Sequence, residues 1–163
     1  PENLSATGSG AVFTQTGDDT AIVSGSGALY CTGIGAFTVA QTVASDLNFL
    51  AIQIDTFGSH VIPSGLRLSY TLSGGGTVSD LVPGQVIEVA PLGDPLGGGQ
   101  YLYGSWDISG EAGTVLSYIV SFAASDANTA VKNIEVDAHL VPAPGALALG
   151  GLGMLVLGRR RRR

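Results

Sequence analysis

Leu66-Arg67-Leu68-Ser69-Tyr70-Thr71-Leu72 is the stretch on which the fold turns. Four apolar residues, at 66, 68, 70 and 72, alternate with Arg67, Ser69 and Thr71. A period of two puts successive side chains on opposite faces of a β-strand, so one face meets a core and the other meets water. Further along, 133–140 repeats the pattern: Ile134, Val136, Ala138 and Leu140 oppose Asn133, Glu135, Asp137 and His139. Two segments are apolar on both faces and read as central strands. In 114–123, Leu116, Tyr118, Val120 and Phe122 are expected to face inward, with Val115 and Ile119 opposite. In 47–55, Leu50, Ile52 and Ile54 oppose Leu47 and Phe49. Weaker strands are expected at 21–24, 28–32, 36–40, 77–81, 85–90 and 101–108.

Turn signals separate these runs at short intervals, among them Pro63-Ser64-Gly65, Ser73-Gly74-Gly75-Gly76 and Pro83-Gly84. Glycine supplies positive φ and proline presets φ for the turn. No amphipathic helix is expected in this part of the chain; 123–130 suits one helical turn at most. Many short strands with such punctuation predict an all-β domain, a β-sandwich or jelly roll of roughly eight to ten strands. Residues 1–19 are polar and read as a leader or an edge strand, 20–140 as the domain, and 141–163 as a separate tail.

Hydrophobic residues make up 45% and charged ones 12% of the chain, which excludes disorder as its general state. Charge is divided unevenly. Arg159, Arg160, Arg161, Arg162 and Arg163 hold five of the seven basic residues. Arg67 and Lys132 alone stand against all 13 acidic residues in 1–158, so 2 − 13 leaves that part at −11. A body so acidic does not bind nucleic acid by neutralising phosphates. The lone Cys31 excludes an intrachain disulfide and, in an apolar run far from His60 and His139, reads as a core residue.

Catalytic signatures are missing: there is no zinc-protease helix motif, no cysteine pair for zinc, no Walker loop and no nucleophile elbow. Glu88, Asp107, Glu111, Glu135 and Asp137 lie near expected strands, but their pairing across a sheet is not readable from one chain. Asp18, Asp19 and Asp94 sit in glycine-flanked turns and are the candidates for a loop-stapling Ca²⁺ site, the only cofactor expected. Their plainer role is turn formation. In Tyr101-Leu102-Tyr103-Gly104-Ser105-Trp106-Asp107-Ile108, alternation sends Leu102, Trp106 and Ile108 one way. Tyr101, Tyr103 and Asp107 go the other way, as a candidate patch for a sugar. The alternative is that the two tyrosines pack beneath the glycines at 97–99.

The composition breaks at Val141. Val141-Pro142-Ala143-Pro144-Gly145 ends the last strand, since proline cannot donate to a ladder. Residues 145–158 carry no charge, and the five arginines follow. Fourteen helical residues span about 21 Å, short of a bilayer core of about 30 Å. Such a segment suits a transient stop in the membrane better than a permanent span. The arginines would then stay at the cytoplasmic face.

This order of Pro motif, short apolar helix and arginine end resembles a PEP-CTERM sorting signal. Ala143 stands where the family usually has Glu, in a variant similar to its Val-Pro-Ala-Pro-Gly-Ala-Leu form. The resemblance covers 141–163 and leaves the body unassigned. It implies recognition near Pro142–Pro144 by an exosortase, a membrane cysteine protease. It further implies an inner-membrane intermediate and release to the cell surface or matrix of a bacterium that makes exopolysaccharide. The chain begins at Pro1 without a signal peptide, so an export signal is expected to have preceded it.

The leading expectation is therefore a non-enzymatic, exported surface or matrix protein. A carbohydrate-binding module is the first alternative, and a secreted jelly-roll glycoside hydrolase the second.

Overall fold

The computed structural model describes residues 3–5, 10–17, 20–25, 27–89, 98–111 and 113–141. These residues form eleven strands and one 3-10 turn (Pro63–Gly65), with no α-helix among them. The strands are β1 (Asn3–Ser5), β2 (Val12–Thr16), β3 (Ile22–Val23), β4 (Leu29–Cys31), β5 (Ala36–Gly58) and β6 (Arg67–Leu72). There follow β7 (Thr77–Leu81), β8 (Gln85–Val89), β9 (Gly99–Asp107), β10 (Val115–Ala123) and β11 (Thr129–Val141).

The 23-residue β5 organises the rest. Up to Ser45 it pairs with β2 and β10; from Asp46 onward it pairs with β11 and β9. Two antiparallel sheets thus share one strand. Sheet A is ordered β1-β2-β5-β10-β6-β7, and sheet B β3-β4-β11-β5-β9-β8. A strand that passes from one sheet to the other makes a corner, and corners need bulges or bends. Register shifts lie beside the crossing in the ladders of β5 with β10 and β11, at Val115–Ser117 and at His139–Leu140.

Apolar residues from both sheets form one core, the arrangement of a β-sandwich. Sheet A contributes Phe37, Leu68, Tyr118 and Val120; sheet B contributes Leu50, Ile52, Ile54, Leu102 and Trp106. Phe37 stacks between Phe13, at 5.8 Å, and Phe122, at 5.2 Å. The Trp106 indole N–H donates to the Leu81 carbonyl at 3.0 Å, which ties β9 of one sheet to β7 of the other.

The alternation in 66–72 holds, with Leu66, Leu68 and Tyr70 buried and Leu72 half-buried. It holds in 133–139 as well, where Ile134, Val136 and Ala138 pack against the core. Three expectations need correction. Against β6 the bulge inserts a residue in β10, so Val115 turns inward and Leu116 is 43% exposed, the reverse of the simple alternation. Leu47 is buried along with Leu50, not opposite it, because the register slips there. The expected strands at 36–40 and 47–55 are one strand, and the described residues hold eleven strands beside the expected eight to ten. Within 1–19, β1 and β2 form one flank of sheet A. The expected C-terminal helix lies outside the described residues.

Candidate functional site

The outer face of sheet B is built by register. Ile87, Tyr103, Gln53 and Glu135 are successive Cα partners across β8, β9, β5 and β11. The next row is Val89, Tyr101, Asp55 and Asn133. On the other side lie Gln85, Ser105, Ala51 and Asp137. Neighbouring strands are about 4.8 Å apart, and same-face residues on one strand about 6.7 Å apart. Twelve side chains from four strands thus share a small surface: Ile87, Val89, Tyr101 and Tyr103 make the β8–β9 half apolar and aromatic beside Gln85 and Ser105, and the β5–β11 half is amide or carboxylate except at Ala51.

An open depression of about 360 Å³ lies on this face, lined by Ala51, Ile52, Gln53, Tyr103, Glu135, Val136 and Asp137. The short Ala51 explains its place. Ala51 is 4% exposed and lies between Ser105 and Asp137, so the hollow opens where the row of side chains is low. Tyr103 and Glu135 stand on either side of Gln53 in the adjacent row. The Tyr101 hydroxyl donates to Gln53 Oε1 at 2.8 Å, which turns the amide so that its N–H groups are directed elsewhere. Asn133 Nδ2 donates to Glu135 Oε1 at 3.1 Å and orients that carboxylate.

The apolar wall on β8 is fastened from behind. Gln100 is buried and mimics a backbone partner of Val61: Val61 N–H donates to its Oε1 at 2.7 Å, and its Nε2 donates to the Val61 carbonyl at 3.0 Å. The same Nε2 donates to Glu88 Oε1 at 2.9 Å. His60 Nδ1 lies 3.7 Å from that carboxylate. Glu88 is thereby tethered to the core, and Ile87 and Val89 on either side are set beside Tyr103 and Tyr101.

Tyr101 and Tyr103 are half-buried on the outer face, while Leu102, Trp106 and Ile108 are buried, as the alternation predicts. Asp107 shares their outer face, as the alternation predicts, but stands away from the depression. It sits at the end of β9 in a row with Phe49 and His139, and its Oδ1 accepts the Ser109 backbone N–H at 3.0 Å. The side chain and backbone N–H of Ser109 hold its carboxyl below the ordinary aspartate value. Its role is to cap a turn. Glu135 and Asp137 do meet at the depression; Gln53 was not foreseen, because only the register of β5 between β9 and β11 brings it there.

Asp18, Asp19 and Asp94 lie outside the described residues. Among the described residues no three His, Cys, Asp or Glu side chains are placed to hold a metal ion. Val141 is the last residue of β11 and pairs with Asp46. Pro142, Ala143, Pro144, Gly145 and Arg159 to Arg163 lie outside the described residues. Among the described residues no helix is long and apolar enough to cross a membrane.

No protein-family model and no curated protein matches the chain. Two solved structures show a likeness. One is the enzymatically active domain of bacteriophage CBA120 tailspike protein 4, at 11% identity and a TM-score of 0.44, over 84% of this chain. This chain spans 21% of the tailspike chain's length. The other is TmCBM61 in complex with β-1,4-galactotriose, at 15% identity and a TM-score of 0.37, over 78% of this chain and 88% of that one. At these scores neither likeness bears on the ligand of this chain, and the site rests on its own residues.

Proposed function

We propose that the chain is an exported cell-surface or matrix protein that binds polysaccharide through the outer face of sheet B, acting by binding and not by catalysis. The observation that carries this reading is Tyr103 on an open depression shared with Gln53, Glu135 and Asp137. A pyranose ring has an apolar C–H face and a rim of hydroxyls. An aromatic ring beside amide and carboxylate groups matches both halves. Tyr101 supports the fit by fixing the amide of Gln53.

The test is depletion of the protein from solution by insoluble and gel-embedded polysaccharides. Tyr103→Ala is expected to weaken binding about tenfold, in line with the loss of one stacked ring. Binding that is unchanged in Tyr103→Ala removes the site.

Export is supported by the pattern of 141–163. A tail read there by an exosortase-like protease would include Val141, which pairs with Asp46 in β11. A reporter fused to 141–163 is expected to reach the surface of an exosortase-bearing host; a reporter that stays in the cytoplasm contradicts this part.

One observation favours a hydrolase as the second reading. Glu135 and Asp137 share the depression, two residues apart on β11, a Cα separation of about 6.7 Å. Glycosidases also use two neighbouring carboxylates, but theirs flank the scissile bond. Here both stand on one strand at one side of Tyr103. New reducing ends released from a bound polysaccharide, and lost in Glu135→Gln, would make this reading the better one.

A further inference from the structure

The charge around the depression narrows the ligand class. We infer that the polysaccharide taken by this face carries free amino groups: a chain of amino sugars whose protonated amines meet Glu135 and Asp137 while the ring lies on Tyr103. This rests on the binding reading above and adds the charge of the ligand to it.

The depression itself is lined by two carboxylates and no basic group. The wider face repeats the bias. On this face of β5, β9 and β11 the described carboxylate side chains are Asp55, Asp107, Glu135 and Asp137, against Lys132 and His139, while Glu88 of β8 pairs with Leu102 on the core side. They differ in availability. Glu88 is engaged by Gln100, and Asp107 by the Ser109 turn. Glu135 takes one hydrogen bond, from Asn133, and has further acceptor capacity, since a carboxylate offers about four lone-pair sites. Glu135 and Asp137 are both exposed and lie on the same face of β11, so one cationic ligand on that face can meet both. A uronic-acid or sulfated chain would bring like charge to this spot, and like-charge juxtaposition discriminates strongly against a partner. A neutral chain would use Tyr103 and Gln53 but leave both carboxylates without an ionic partner. An amino-sugar chain uses all four groups.

Because residues 1–158 carry −11, a polycation would also collect anywhere on the surface, and the test must separate the site from bulk charge. Short oligomers of glucosamine, of N-acetylglucosamine, of glucose and of galacturonate are titrated at pH 6 into the protein. They are also titrated into Glu135→Gln/Asp137→Asn and into a control pair, Asp80→Asn/Asp126→Asn. Asp80 on β7 and Asp126 before β11 are exposed and outside the depression, so the control removes the same two charges. Trp106, buried between the sheets, reports the fold of each variant by its fluorescence.

The expected result is that glucosamine oligomers bind best and galacturonate not at all. Glu135→Gln/Asp137→Asn should lose about fivefold for the glucosamine oligomers alone, the sum of two exposed ion pairs, and the loss should shrink in high salt. The control pair should bind as the unaltered protein does. Equal affinity for neutral and amino oligomers, an equal loss in the control pair, or tighter binding of galacturonate overturns the amino-sugar inference and leaves polysaccharide binding standing. No binding of any oligomer, with binding of the parent polysaccharides unchanged by Tyr103→Ala, overturns the binding reading itself.

Discussion

Glycine 58 shows how much one position on β5 must satisfy. Its φ of +78° lies in the left-handed region, and a Cβ there would stand 2.1 Å from the Asn128 carbonyl oxygen. Backbone strain and a clash with backbone both oppose any side chain. Gly58→Ala is expected to cost at least ~2 kcal/mol, measured as a lower urea midpoint at unchanged slope. Two tyrosines add a pH signature. Burial pushes the Tyr118 hydroxyl up to about 12, and burial with the nearby Glu111 carboxylate does the same for Tyr70. The Tyr70 hydroxyl is buried without a hydrogen bond of ordinary geometry, so Glu111 acts on it through charge more than through a formed bond. A raised tyrosine pKa favours the neutral form in the folded state. The stability it contributes is fully present below pH 10 and is lost as pH rises through about 12. Tyrosinate absorbance and Trp106 emission followed from pH 9 to 12.5 are expected to show Tyr70 and Tyr118 ionising together with unfolding; absorbance that is complete before the Trp106 emission changes contradicts this burial.

At the scale of the element, the alternation of apolar and polar residues made the faces of β6, β9 and β11 legible. Leu102 and Trp106 inward with Tyr101 and Tyr103 outward follow from period two alone. What alternation cannot carry is an inserted residue. The bulge after Val115 has no local sequence mark; it answers to the passage of β5 from sheet to sheet, a non-local demand. The same holds for the length of β5, since 41–46 lacks the apolar run that would join its halves. Strand β8 makes the energetic case. All five of its residues are exposed, so it is held chiefly by its ladder with β9 and by the Glu88 tether to Gln100. Gln100→Leu keeps the bulk but strands the N–H and C=O of the buried Val61 and frees Glu88. The expected cost is about 2–3 kcal/mol of stability. Faster amide exchange over 85–89 than over 115–123 should accompany it, and an unchanged exchange map would show that β8 does not depend on the tether.

Over the whole molecule, two layers share a core and present outer faces of different chemistry. Sheet A shows small hydroxyl and aliphatic groups, with Thr38, Ser121 and the exposed Ile119 among them; sheet B shows tyrosine, amide and carboxylate. The sequence disclosed the tyrosines and the acidic residues separately. Their convergence with Gln53 depends on the order β11-β5-β9-β8, and strand order is a long-range property that no local pattern encodes. The central claim is that polysaccharide docks on sheet B and not on sheet A. Amide chemical-shift mapping during titration with a bound oligosaccharide tests it most directly. Shifts are expected to concentrate at 51–55, 85–89, 101–105 and 133–137, with 38–42 and 117–121 unmoved. Shifts centred on 38–42 and 117–121, with the surroundings of Tyr103 silent, would contradict it.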